Sequence, residues 1–426
     1  MRTLVVSHQF PQDIARSVYG GFQRLGMWLE AIQSRGELEI LFFVRPGVAT
    51  GPPAAATVER WLQDMWAVRA AVTLCEREPD PEPRGRLARY VDAYLRPALG
   101  PSHHPLFRSY LGKRQQEALT RCLARSPDIV FLHRMQSAGP ALASPLNGAR
   151  VFLDLDDVQY RVFAREVSQP PRWRLKPLLY LQLPAVWWGE RGAIRRADRV
   201  FVCSETDRRH LRRLMGVRNV DVIPNAVPHV ANGTPATDPN VLFIGAYSYP
   251  PNVVAAEYLV QEVWPRLTQL RPSVRLLIAG PRSEEIPSFH HPPQGVEFLG
   301  FVPDLDSLYR RTRLVCCPIQ SGGGTRIKIL EAASYGIPVV ATPIGAEGID
   351  LMPEREILLR SDPRALAQAC ADLLANDARA SRIGLAARER VRELYARDTV
   401  VRRMAMALVS EVGGGQGGGG GGGGVT

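Results

Sequence analysis

Ser321-Gly322-Gly323-Gly324-Thr325-Arg326-Ile327-Lys328-Ile329-Leu330-Glu331 follows the short apolar run Leu314 to Pro318 and opens a helical stretch. A buried strand, a glycine turn and a helix start, in that order, build an anion site. Glycines let the backbone approach a ligand closely, and the first N–H groups of a helix have no intrahelical acceptor. Arg326 and Lys328 add two full positive charges to that turn. The terminus alone contributes about 0.3–1 kcal/mol at an exposed site, so charge-assisted bonds from these two side chains dominate the expected affinity. The plainer alternative is a glycine turn before a surface helix in which Lys328 pairs with Glu331, three residues on.

On both sides of this turn, short apolar runs alternate with amphipathic stretches, the rhythm of βα repeats around parallel sheets. Strands are expected at 3–7, 39–44, 128–133, 150–154 and 199–203, with a first helix over 20–33 and a largely helical insertion over 46–126. The Pro-, Asn- and Gly-containing stretch 224–240 marks a boundary. A second series then places strands at 241–245, 274–279, 296–298, 314–318, 338–341 and 357–359, with a helical segment over 253–270. The expected class is α/β, with two Rossmann-like domains: residues 1–230 and residues 231–396. A helix over 397–412 would pack back on the first domain, and the nearly pure glycine tail 413–426 would be disordered.

A chain of 426 residues, 45% hydrophobic and 22% charged, is too long for one small module and too apolar for wholesale disorder. Its formal charge of +11 favours anionic partners. Six cysteines without metal-ligand or framework spacing suggest a reducing, cytoplasmic setting. No export signal is read at the N-terminus, and the longest uncharged apolar stretch, 177–189, is shorter than a bilayer span.

Neither Gly-Lys-Ser/Thr after the glycines nor Gly-x-Gly-x-x-Gly after the first strand is present, which weakens kinase, ATPase and dehydrogenase readings. Gly322 to Glu331, continuing through Ala332 to Pro343, instead resembles the signature of the retaining glycosyltransferases of family 4. The resemblance extends through Val241 to Gly245, Leu276 to Gly280, Gly300 to Val302 and Gly345 to Gly348. In the first half it runs more loosely through Tyr19 to Arg24, Asp128 to His133, Ala197 to Glu205 and Val222 to Asn225.

That resemblance implies the GT-B fold, with a cleft between an N-terminal acceptor domain and a C-terminal donor domain. It also implies a nucleotide diphosphate sugar as donor, a glycan or lipid-linked acceptor, and no metal cofactor. By it, Glu331 holds the ribose hydroxyls, while Gly322, Gly323, Gly324, Thr325, Arg326 and Lys328 hold the diphosphate. Gly245 belongs to the first loop of the donor domain, Gly20 and Gly21 approach from across the cleft, and His133 contacts the donor near the scissile bond. The family commonly has a sugar-contacting glutamate eight positions before its ribose glutamate, where this sequence has Gly323. The loop 245–252 also lacks the Arg and Lys found in many relatives.

Asp154, Asp156 and Asp157 follow a strand and could hold a metal or act as a base, although a solvated or capping cluster is the favoured expectation. Residues 161–215 carry thirteen basic against five acidic side chains, with Trp173, Tyr180, Trp187 and Trp188 interleaved. That mixture suits a peripheral site on an anionic membrane, or equally an amphipathic helix with core tryptophans. The functional expectation is a retaining sugar transfer in cell-surface polysaccharide or glycolipid synthesis, against a non-catalytic nucleotide-sugar or glycan binder. Nucleic-acid binding rests on charge alone and ranks last.

Overall fold

A computed structural model describes residues 1–10, 20–78, 85–108, 111–146, 148–168, 174–228, 230, 236 and 238–409. The tail 413–426, with Arg172, Trp173 and Tyr19 of the stretches above, lies outside the described residues.

In the first lobe, seven strands form one parallel sheet: β1 (Arg2–Ser7), β2 (Glu37–Val44), β3 (Ala71–Glu76), β4 (Ile129–His133), β5 (Arg150–Asp156), β6 (Arg199–Val202) and β7 (Val220–Val222). Their order is β3-β2-β1-β4-β5-β6-β7. In the second lobe, β8 (Asn240–Ile244), β9 (Arg275–Ala279), β10 (Val296–Gly300), β11 (Leu314–Cys317), β12 (Val339–Ala341) and β13 (Leu358–Leu359) run parallel in the order β10-β9-β8-β11-β12-β13. Central strands such as β4 and β11 are buried along their whole length, as sheets covered by helices on both faces require.

Each order reverses direction once, between β1 and β4 and between β8 and β11. Ligands of open α/β sheets bind at the carboxyl ends of the strands beside such a switch point. Ser7 and His133 stand side by side at the first, and Gly245 and the glycine turn follow the strands of the second.

The expected insertion over 46–126 needs correction. It contains the helix Pro52–Trp66 and then β3, which pairs in parallel with β2 from Glu39 opposite Ala71 to Val44 opposite Glu76. This is one more βα unit at the sheet edge. An edge strand shows only part of its surface to the core, so Ala71 to Glu76 lacks a continuous apolar run. Three-residue β7 was too short to be read from pattern.

After the second lobe the helix Asp377–Tyr395 gives way to Arg397–Val409. Val227 bridges the junction, donating to Tyr395 O (3.0 Å) and accepting from Arg397 N (3.2 Å). The last helix lies against Gly20–Gln33, with Val400, Met404 and Leu408 in the core that contains Trp28, and Arg397 pairs with Glu30 at 2.6 Å.

Candidate active site

The glycine turn is built as the sequence suggests and is then sealed by its own arginine. Gly322 and Gly324 have φ of 94° and 70°, left-handed values that favour glycine. Such a turn leaves carbonyls without backbone partners, and Arg326 satisfies three of them. Its Nη1 donates to Gly323 O and Gly324 O, and its Nη2 to Ser321 O at 3.2 Å. Arg326, expected to make charge-assisted bonds to a ligand, has its guanidinium turned back onto the loop and buried.

Lys328 stands on the first turn of the helix Ile327–Ser334 and does not pair with Glu331. Its ammonium donates to Asn252 Oδ1 (2.9 Å) and lies 4.4 Å from the centre of the Phe243 ring. Burial pulls its pKa down to about 8, with Cys317 opposing and Arg326 adding to the fall. Gly245 lies beside it, since a Cβ there would be 2.9 Å from the Lys328 ammonium. Glu331 accepts from the Tyr309 hydroxyl at 2.8 Å; burial raises its pKa against the pull of that bond and of Lys328. Thr325 Oγ1 is buried without a partner among the described residues.

Across from the turn, His133 ends β4, but its ring is 0% exposed, so it sits beneath the cleft edge where the sequence placed it. Burial, then Arg134, holds it well below its ordinary pKa and hence neutral. Nδ1 is 3.0 Å from Ser7 Oγ, which also accepts the Gln9 N–H, and Nε2 has no partner among the described residues.

The acidic trio is not a solvated cluster. Asp154 takes Arg24 Nη2 at 2.6 Å and Nε at 2.8 Å with both side chains 0% exposed. Burial outweighs that partner and lifts the Asp154 carboxyl, while Arg24 stays firmly charged. Asp156 pairs with Arg134 and accepts from Cys203 Sγ; burial opposes its ionisation, but Arg134 and Arg24 hold its carboxyl low. Both members of that pair are left-handed non-glycine residues, Arg134 at φ 67° and Asp156 at φ 59°. Such backbone strain is stored where surrounding structure over-determines it, commonly at functional sites.

The third of the trio, Asp157, lies against the second lobe. A Cβ on Gly21 would meet the Arg134 guanidinium, and one on Gly324 would meet Asp157 Oδ1. Gly20 begins the same helix as Gly21. The helix Gln159–Ser168 covers the turn: Arg165 donates to Gly322 O (3.0 Å) and pairs with Glu347, which also takes Arg161 at 2.8 Å. Between that helix and the turn only about 10 Å³ remains, room for a single water. No pattern in the sequence signals Glu347, Arg161 and Arg165 as a set, since 182 residues separate Arg165 from Glu347.

Anything larger than a water can reach this space only if the lobes part, and the clasp opposes that parting. Glu347→Gln is expected to increase the radius of gyration of the ligand-free chain in solution scattering. An unchanged profile would show that Glu347 does not hold the lobes together.

Two Rossmann-like lobes meet over the glycine turn, and each carries one topological switch point beside the meeting. Residues 57–230 match the family model described as Glycosyltransferase Family 4, and residues 238–376 the one described as Glycosyl transferases group 1. The chain belongs to the group 1 glycosyltransferases and has the GT-B fold. Among solved structures it is similar to sucrose-phosphate synthase from Thermosynechococcus elongatus, at 18% identity and TM-score 0.68, over 95% of this chain and 98% of that one. It is also similar to HepE of Anabaena in complex with UDP and glucose, at 15% identity and TM-score 0.61, over 96% and 100%. S. aureus TarM in complex with fondaparinux, α-GlcNAc-glycerol and UDP matches at 17% identity and TM-score 0.57, over 70% of this chain and 59% of that one. No curated protein matches the sequence.

Proposed function

We propose that this glycosyltransferase moves a sugar from a nucleotide diphosphate sugar to an acceptor hydroxyl with retention of anomeric configuration, in the building of a cell-surface polysaccharide or glycolipid. The observation that carries the reading is Lys328, a buried cation fixed by Asn252 at the start of a glycine-led helix. The complexes of HepE with UDP-glucose and of TarM with UDP support the donor class.

In this reading, negative charge develops on the β-phosphate as the glycosidic bond breaks, and positive charge on the sugar ring. Lys328 and the amides of Gly322, Gly323, Gly324 and Thr325 stabilise the phosphate, which lowers the barrier because they are oriented beforehand. Arg326 acts by holding the turn and by its charge. Glu331 takes the ribose hydroxyls, with Gly245 giving the donor close approach and Gly20 and Gly21 facing it from the first lobe. His133 is a neutral hydrogen-bonding group; in the tautomer whose Nδ1 accepts from the Ser7 hydroxyl, the proton is on Nε2 and available to the donor. Attack comes from the face that the leaving group occupies, and the departing phosphate oxygen takes the acceptor proton, with no metal required.

The test is turnover. Incubation with a panel of nucleotide diphosphate sugars and acceptor extracts should release the diphosphate, and the product should keep the anomeric configuration of the donor. Binding without transfer or hydrolysis across the panel would instead make the chain a binder.

In this reading the acceptor, a glycan or lipid-linked molecule, rests on the first lobe, and the chain works at an anionic membrane face on the cytoplasmic side. Among the described residues no helix is long and apolar enough to cross a membrane. Leu87, Leu95 and Leu99 are exposed, as are Tyr180, Leu181 and Trp188, and Gln182 joins the two segments by donating to Ala93 O at 3.1 Å. Arg86, Arg89, Arg96 and Arg174 are exposed in the same segments, although Lys176 is buried and Trp187 packs against Arg191. Apolar side chains among arginines suit an anionic interface. The full chain should pellet with phosphatidylglycerol vesicles and detach at high salt. Loss of pelleting only with neutral lipid supports the surface, and no pelleting with either removes it.

A further inference from the structure

Asp157 has no role in the site as described, yet its side chain lies at the centre of it. The residue follows the left-handed Asp156, its N–H is tied to Leu155 O at 2.7 Å, and its Oδ1 lies against Gly324 of the opposite lobe. Oδ1 is shielded from solvent and has no hydrogen-bond partner among the described residues. Burial, then Asp156, raises its pKa to about 7 against the pull of Arg134 and Arg326 from the two lobes, and no group among the described residues bonds to that oxygen. A buried oxygen left unpaired is costly unless a ligand completes it.

The geometry around Gly323 says what kind of ligand. A Cβ built there would strike Val162, so no side chain fits at position 323 while the helix Gln159–Ser168 covers the turn. Asp157 Oδ1 is 3.6 Å from that same point and its carboxyl carbon 3.7 Å. A carboxylate on a two-carbon stem from position 323 would reach this shell. The space beside the turn, where a sugar on the diphosphate must lie, thus receives its carboxylate from the first lobe and a methyl group from Val162.

We infer that Asp157 is the specificity-determining carboxylate for the transferred sugar, accepting hydrogen bonds from two ring hydroxyls across the cleft. Ionised, above a pKa of about 7, it offers acceptors only, and two adjacent hydroxyls match its two oxygens. The inference rests on the nucleotide-sugar reading and adds that the sugar, unlike the diphosphate, is gripped by the N-terminal lobe. Sugar binding and lobe closure are then one event, because Asp157 meets the ring only when the helix after it lies over the turn.

The test uses the full chain and titration calorimetry of matched pairs: UDP against UDP-glucose and UDP-N-acetylglucosamine, and GDP against GDP-mannose. For the sugar nucleotide that wild type prefers over its bare diphosphate, Asp157→Ala should reduce that preference by about tenfold or more, the scale of a hydrogen bond to a charged group. The bare diphosphate should bind no more weakly. Asp157→Asn, which keeps shape and packing, should lose part of the preference while melting at the wild-type temperature. An unchanged preference in both variants would overturn the assignment, as would equal loss for sugar nucleotide and bare diphosphate. Absence of any diphosphate binding by wild type would instead remove the nucleotide-sugar reading beneath it, and the assignment with it.

Discussion

Lys328→Ala is expected to raise the dissociation constant for a nucleotide diphosphate by about tenfold to a hundredfold, the range of a charge-assisted hydrogen bond in a partly dry site. The ammonium is held by Asn252 Oδ1 and lies over the Phe243 ring. Arg326 is already engaged with three carbonyls of the turn, and Arg326→Ala should add a loss through loosening of that turn. The wild-type chain should also show a pH dependence. Because burial pulls Lys328 down to about 8, its charge is complete below that value and lost as pH rises through it. Diphosphate affinity should therefore fall above pH 8 by at most about tenfold per unit, since one proton is involved. Lys328→Arg keeps its charge and should flatten that fall. Titration calorimetry between pH 7 and 10 reads both effects, and an alanine variant that binds like wild type would sink the assignment of the site.

The second large effect concerns the scaffold. Arg24→Met should destabilise the first lobe by about 3–5 kcal/mol, the usual result of removing one partner of a buried ion pair. Arg24 bonds Asp154 through two nitrogens and also donates to Ile223 O (2.9 Å) and Asn225 Oδ1 (3.3 Å). It therefore joins the first helix, the end of β5 and the passage between lobes. Urea unfolding followed by tryptophan fluorescence should shift the transition of the first lobe to lower denaturant and leave the other lobe in place. Arg24→Met combined with Asp154→Leu should recover most of the loss, because no unpaired charge then remains inside. A single variant as stable as wild type would mean that the pair contributes nothing.

The elements that position the site were legible wherever their signal was local. A strand such as Leu314–Cys317 is an apolar run whose every residue is buried, and the turn after it is marked by glycines whose backbone angles other residues avoid. The edge strand β3 was hidden because only Val72 and Cys75 of its six residues are buried, so its sequence alternates too weakly to be told from its helical surroundings. The acidic trio was misjudged for a different reason. Asp154 finds Arg24 at a separation of 130 residues, and Asp156 finds Arg134 only because β4 and β5 lie side by side. Burial turns what would be a solvated loop into two ion pairs and an unpaired carboxylate.

Composition and local pattern determined that there are parallel sheets and helices, that two α/β units follow each other, and that a glycine turn opens the helix after Cys317. These follow from periodicity and from short-range backbone constraints, which act within a few residues of chain. Tertiary structure alone decided where charge is delivered. It turned Arg326 inward, gave Lys328 to Asn252 rather than Glu331, buried His133, and brought Asp157 and Val162 against Gly323 from the other lobe. Such choices depend on which distant groups share a desolvated space, and that is set by how the sheets and helices pack.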